Sequence, residues 1–120
     1  MNLFFKGRNF RPTFLLIVLI LFSCTKDKRL EGKSEAEIKL IDRGRTVYMT
    51  TCVVCHHPNP ALDGPTGPAI SGSSLVLIKE KLLKGGYPEG YKAKRSTHLM
   101  PTFIEEHEND IDAIHAFLNL

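Results

Sequence analysis

The chain has 120 residues, 42% of them hydrophobic and 24% charged, and its formal net charge is +3. This length favours a single domain. The positive excess comes from Lys6, Arg8 and Arg11, and the remainder is balanced in charge, with no basic stripe, tryptophan or aromatic run. Composition therefore argues against a nucleic-acid-binding protein. Five of the seven phenylalanines lie at or before Phe22, which leaves a thin core that a non-protein group would help to fill.

Residues 1–23 have the parts of a secretory signal peptide. A basic flank precedes an unbroken apolar run that is too short to span a hydrocarbon core of ~30 Å. The end of the run and the two residues after it read Leu21-Phe22-Ser23-Cys24. This resembles the bacterial lipoprotein signal, in which the peptide is cut just before a cysteine that becomes lipidated. We therefore expect a lipid anchor on Cys24 and a domain held in the periplasm of the bacterial envelope. An uncleaved anchor, or an ordinary signal cut nearby, is the alternative.

Residues 24–33 are expected to form a solvated tether, because the stretch is dense in charged side chains. The domain itself is expected to span residues 34–120. Its first helix begins at Ser34, which forms a capping box with Glu37, and apolar residues at helical spacing carry the helix toward Cys52.

Two shorter helices are predicted beyond a loop rich in proline and glycine at 58–72. Ser73 or Ser74 caps the first of them, and Gly85 ends it. Residues 84–99 should be irregular, and the last helix should start at Asn109 or Asp110. Because no run alternates between apolar and polar residues, we expect an all-α fold with three or more helices.

The sharpest motif is Cys52-Val53-Val54-Cys55-His56, the C-x-x-C-H pattern of covalent haem attachment. Two thiols one helical turn apart can form thioethers with the two vinyl groups of one porphyrin, and the adjacent imidazole can bind the iron. A structural zinc site would need further ligands, and a thioredoxin-like dithiol would need a βαβ context. A disulfide between Cys52 and Cys55 would close a very small loop and stabilise little.

The sequence resembles the class I cytochrome c family, single-haem and all-helical, from about residue 35 to residue 120. Gly44, Tyr48 and Cys52 stand in the family's register before the haem motif. The resemblance implies one covalent haem c. It also implies a close crossing of the first and last helices at Gly44, with Phe117 facing that glycine.

The resemblance also implies the ligands of the iron. The Gly67-Pro68 pair matches the family's pair, whose carbonyl accepts a hydrogen bond from the proximal His56. Met100, followed by proline, fits the sixth ligand, and His98 on the same loop is its rival. Met49 lies on the proximal side and is interpreted as a packing residue. Tyr91 and Arg95 are candidates for contacts with the haem propionates.

These features predict an electron carrier rather than an enzyme. The expected partner is a membrane or periplasmic oxidoreductase, such as a respiratory complex, a terminal oxidase or a reductase, and the domain is expected to be monomeric. The alternative is a haem enzyme subunit with an open or labile sixth site, acting on peroxide or a small gas. A haem-based sensor or an assembly protein has less support, since the sequence offers no output domain.

Overall fold

The computed structural model describes residues 27–103 and 108–120. Three α-helices lie in these ranges: α1 at Glu35–Val47, α2 at Leu75–Lys79 and α3 at Ile111–Leu118. The first two continue as π-helical turns at Tyr48–Cys52 and Glu80–Lys84, and 3-10 turns lie at Lys28–Leu30 and Glu108–Asp110. No strand occurs in the described ranges, and the predicted all-α architecture is confirmed.

The predicted signal peptide at 1–23 and the predicted lipidation site at Cys24 lie outside the described residues. Within the two described ranges, no helix combines the length and the apolar character needed to cross a membrane.

Local signals position the helix ends. The Ser34 side chain accepts a hydrogen bond from the Glu37 backbone N–H, and the Glu37 carboxylate accepts one from the Ser34 N–H at 2.8 Å, so the capping box is present. Ser74, rather than Ser73, caps α2 by accepting from the Leu77 N–H at 3.2 Å. Gly85 ends this helical segment in a left-handed conformation with φ of 69°.

The core lies where α3 packs against both other helices, mainly against α1. Its buried apolar side chains are Ile41, Val47, Tyr48, Ile78, Leu82, Ile111, Ile114, Phe117 and Leu118. Only two of these side chains are aromatic, and both come from the α1–α3 contact. The side of the core near Cys52 borders a cavity.

The close crossing predicted at Gly44 is present, but its partner is different. A Cβ on Gly44 would overlap the backbone carbonyl group of Ala113, so α3 presents main chain to this glycine. The prediction that Phe117 faces Gly44 is wrong. Phe117 lies one turn after Ala113, and its ring packs on the ring of Tyr48, one turn after Gly44, with centroids 5.2 Å apart. The crossing therefore has two successive contacts, one of backbone and one of aromatic rings.

The described part of the segment expected to be a solvated tether, residues 27–33, makes contacts with the domain. Asp27 caps a 3-10 turn and forms ion pairs with Arg29 at 2.8 Å and with Arg45 of α1 at 3.3 Å. Leu30 packs against the hydrophobic core. The composition of the segment suggested full solvation, but one leucine and one carboxylate attach it to the domain.

Candidate functional site

The end of α1 carries the two cysteines and the histidine of the motif. The Cys52 carbonyl accepts hydrogen bonds from the backbone N–H groups of Cys55 at 3.2 Å and His56 at 2.9 Å, so a tight turn brings the three side chains together. Both cysteines are partly buried free thiols. Burial raises the pKa of the Cys52 thiol to about 11, with a smaller contribution from the charge of Cys55.

The His56 ring is buried and held in one orientation. Its Nδ1 lies 2.9 Å from the Pro68 carbonyl oxygen. Because a carbonyl can only accept, Nδ1–H donates and Nε2 keeps the lone pair that a metal ion requires. On the adjacent Gly67, a Cβ would lie 2.5 Å from the ring Cε1 and 2.6 Å from Nδ1, so only glycine lets the loop lie this close to the ring.

Hydrogen bonds attach this loop to the cysteine turn. The Cys55 carbonyl accepts from the N–H groups of Gly67 at 2.8 Å and of Thr66 at 3.2 Å. The buried Tyr48 hydroxyl donates to the His57 carbonyl at 2.6 Å, which connects the turn to the α1–α3 crossing. Burial raises the pKa of Tyr48 to about 12, with a smaller contribution from Cys52, so the hydroxyl remains a donor over the whole neutral range.

The motif residues open into a cavity of about 1050 Å³, counting its mouth. Apolar groups dominate its wall. Its lining comprises Tyr48, Cys52, Cys55, His56, Thr66, Gly67, Pro68, Ala69, Ile70, Ser73, Leu77, Ile78, Lys81, Leu82, Tyr87, Tyr91, Lys94, Arg95, Thr97, Leu99, Met100, Ile114 and Leu118. The structure thus brings residues of the haem motif, the 58–72 loop, α2 and the irregular 84–100 segment around one space.

Met100, its rival His98 and the proximal-side Met49 lie in different surroundings. Met100 is partly buried, packs against the core and lines the cavity. His98 is exposed and is not among the lining residues. Met49 is 44% exposed and also lies outside the lining, so its interpretation as a packing residue is wrong.

One group of residues in the cavity lining is basic and aromatic. Tyr91 and Arg95, the candidates for propionate contacts, both line the cavity. The Tyr91 ring stacks on Tyr87 with centroids 5.3 Å apart, and the Lys81 ammonium lies 4.1 Å from the Tyr87 centroid. Arg95 forms an ion pair with Asp63 at 3.5 Å.

Sequence reasoning missed two residues of this site. Lys81 lies four residues after Leu77 and three after Ile78, so helical spacing could have placed it on the cavity face of the α2 segment. Asp63, in contrast, lies in an irregular loop, where no spacing rule predicts its partner. Among the described residues, no group of three or more His, Cys, Asp or Glu side chains is placed to hold a metal ion, so the zinc alternative has no ligand set there.

Comparison with known proteins gives one match. The family model described as Cytochrome c matches residues 41–119, which is well over half of the chain and includes the whole cavity lining. Neither a curated protein nor a solved structure matches the chain.

Proposed function

Because the chain belongs to the cytochrome c family, we propose that it is a class I, single-haem electron carrier in which His56 and Met100 are the axial ligands of the iron. The family carries covalently bound haem c, so haem c is the cofactor of this chain, and electron transport is the activity typical of the domain. The observation that carries the proposed ligation is the cavity, because its wall includes His56 and Met100 but not His98.

The residues around the cavity fit a covalent porphyrin. Cys52 and Cys55 supply two thiols at the attachment spacing, and both line the cavity. The hydrogen bond to Pro68 leaves His56 Nε2 as the free ring nitrogen, as an iron ligand requires. The lining is mostly apolar, as is usual for pockets that hold a cofactor. The haem would thus supply the centre that the scarce aromatic side chains do not fill.

When bound, the haem supplies a reversible one-electron change at iron, and the protein residues set its conditions. Pro68 and Gly67 hold the His56 ring in a fixed orientation, which keeps the proximal ligand in place in both oxidation states. As an iron ligand, the Met100 thioether would favour the ferrous state relative to a second imidazole and would raise the reduction potential. The apolar wall would limit water around the site, while Tyr91 and Arg95 in the lining would offer donors to propionates.

We further propose that the mature protein starts at Cys24 and is anchored by lipid in the bacterial envelope, with the domain in the periplasm. The support is the order of a basic flank, a short apolar run and Leu21-Phe22-Ser23-Cys24 in the sequence. Export also fits the compartment in which bacteria normally assemble haem c. An anchored carrier would have a raised effective concentration near a membrane or periplasmic oxidoreductase, the proposed partner.

Intact mass and redox titration test the proposed carrier function. The purified protein should carry the mass of one covalent haem, and Cys52→Ser combined with Cys55→Ser should abolish the attachment. The absorbance should follow a reversible one-electron titration. A high-spin ferric spectrum with rapid peroxide turnover would instead support the enzyme alternative.

Detergent phase partitioning tests the anchor. Wild-type protein should enter the detergent phase, Cys24→Ser should stay in the aqueous phase, and the neighbouring Thr25→Ser variant should behave as wild type. Equal partitioning of Cys24→Ser and wild-type protein would contradict lipidation at this residue.

A further inference from the structure

The segment that carries Met100 is weakly tied through its own backbone. Within the described part of the chain, residues 87–102 make one hydrogen bond between backbone groups, from the Tyr91 N–H to the Pro88 carbonyl at 3.0 Å. The next such bond comes after Met100, from the Phe103 N–H to the Leu82 carbonyl at 2.8 Å. A long irregular segment held in this way depends on its side chains for its position.

Two consecutive basic residues connect the middle of the segment to the 58–72 loop. The Lys94 Nζ donates to the Ala69 carbonyl at 2.7 Å, and the Arg95 guanidinium lies 3.5 Å from Asp63 Oδ2. The other carboxylate oxygen of Asp63 accepts a hydrogen bond from the Ala69 N–H at 2.7 Å. Ala69 thus binds both Asp63 and Lys94, and Asp63 also binds Arg95, the residue after Lys94. The four residues therefore form a closed ring of contacts.

This ring of contacts borders the cavity. Ala69 directly follows Pro68, whose carbonyl holds the His56 ring, and Ala69, Lys94 and Arg95 all line the cavity. Along the chain, Lys94 and Arg95 precede Met100 by six and five residues. The contacts thus connect the loop that orients His56 with the segment that carries Met100.

We propose that Asp63, Lys94 and Arg95, acting through the Ala69 peptide groups, form a latch that holds the Met100 segment across the cavity and keeps the sulfur available to the iron. These are positioning residues, and this inference rests on the proposed Met100 ligation. When the latch opens, the contacts that remain on this segment are weaker, among them the Lys81 ammonium on the Tyr87 ring and the packing of Met100 itself, and an external ligand gains access to the iron.

The rate at which imidazole replaces the sixth ligand of the ferric holoprotein tests the latch. Lys94→Gln and Asp63→Asn should each speed replacement about 2- to 5-fold, because exposed charged contacts are individually weak. The double variant should speed it further. Lys94→Arg, which keeps the donor, should restore a rate close to wild type.

A matched control exists on the α2 segment. Lys84 forms an ion pair with Glu80 at 2.7 Å, away from the cavity lining, so Lys84→Gln removes the same charge without touching the latch. Its imidazole rate should stay at the wild-type value. Equal rates for Lys94→Gln and Lys84→Gln would overturn the latch.

The ferric wild-type spectrum separates the two levels of the proposal. A sulfur-to-iron band in the near infrared, together with equal rates in all variants, would overturn the latch and leave the ligation intact. Absence of that band from the wild-type protein would overturn the Met100 ligation, and the latch with it.

Discussion

Gly67 lies against the ring of His56 so closely that no methyl group fits between them. A Cβ on Gly67 would approach three ring atoms within 2.5–2.9 Å, while the next residue, Pro68, accepts the ring's Nδ1–H hydrogen bond. Pro68 thus fixes the ring by accepting its hydrogen bond, and Gly67 allows the close approach because it has no side chain. This contact holds the histidine that follows the two cysteines in one orientation.

Gly67→Ala should displace the His56 ring or the loop beneath it. We expect the free energy of unfolding to fall by about 1–3 kcal/mol, as for other overpacked sites, and the haem content per polypeptide to fall with it. Haem absorbance per protein and urea unfolding measure the two effects. Gly86→Ala is the control, because a Cβ there meets nothing within 4 Å. Normal haem content and stability in Gly67→Ala would contradict the geometry described here.

Gly44→Ala should separate α1 from α3. The added Cβ would overlap the Ala113 carbonyl group, and backbone cannot rotate away as a side chain can. We expect destabilisation of about 1–3 kcal/mol despite the gain in helix propensity from replacing glycine. Urea unfolding followed by circular dichroism gives the value, again with Gly86→Ala as the control. An unchanged or higher stability would mean that the helices do not cross at this glycine.

Asp27→Asn should weaken the packing of the N-terminal segment in a pH-dependent way. Hydrogen bonds from the Arg29 side chain and backbone, with Arg45 nearby, lower the pKa of Asp27 to about 2 from 3.8. Because the folded-state pKa is depressed, the stabilisation is present above about pH 4 and disappears as the pH falls through about 2. The urea midpoints of wild type and variant should differ at neutral pH and converge only as the pH falls through about 2.

The exposed Glu89 in the turn after Pro88 provides the comparison for Asp27. Glu89→Gln removes one carboxylate without touching the N-terminal segment. If it reproduced the pH profile of Asp27→Asn, the effect would reflect net charge rather than the contacts of Asp27.

The sequence predicts most reliably what is local. Ser34 and Glu37 form their capping box within one turn, and Gly85 ends its helix with its own backbone conformation, so neither depends on distant residues. The same holds for the two hydrogen bonds that form the cysteine turn, which run from the N–H groups of Cys55 and His56 to the Cys52 carbonyl. The all-α class followed from such signals.

Several details of the contacts between distant segments escaped prediction. The glycine at 44 indicated a close crossing, but whether α3 presents Ala113 or Phe117 depends on the rotation of a helix that lies 69 residues away. Leu30 was assigned to a solvated tether because its neighbours are charged, and only the folded core shows the place it fills. Asp63 and Lys94 both bind the Ala69 backbone and so join two irregular segments. Neither segment has the sequence periodicity from which such a contact could be predicted.

The identity of the sixth ligand is the central claim, and the near-infrared spectrum of the ferric holoprotein tests it most directly. We predict a weak sulfur-to-iron band in wild-type protein that disappears in Met100→Ala and persists in Met49→Ala and His98→Ala. The reduction potential should fall in Met100→Ala alone. A wild-type spectrum without the band, or a band that survives in Met100→Ala, would contradict the account.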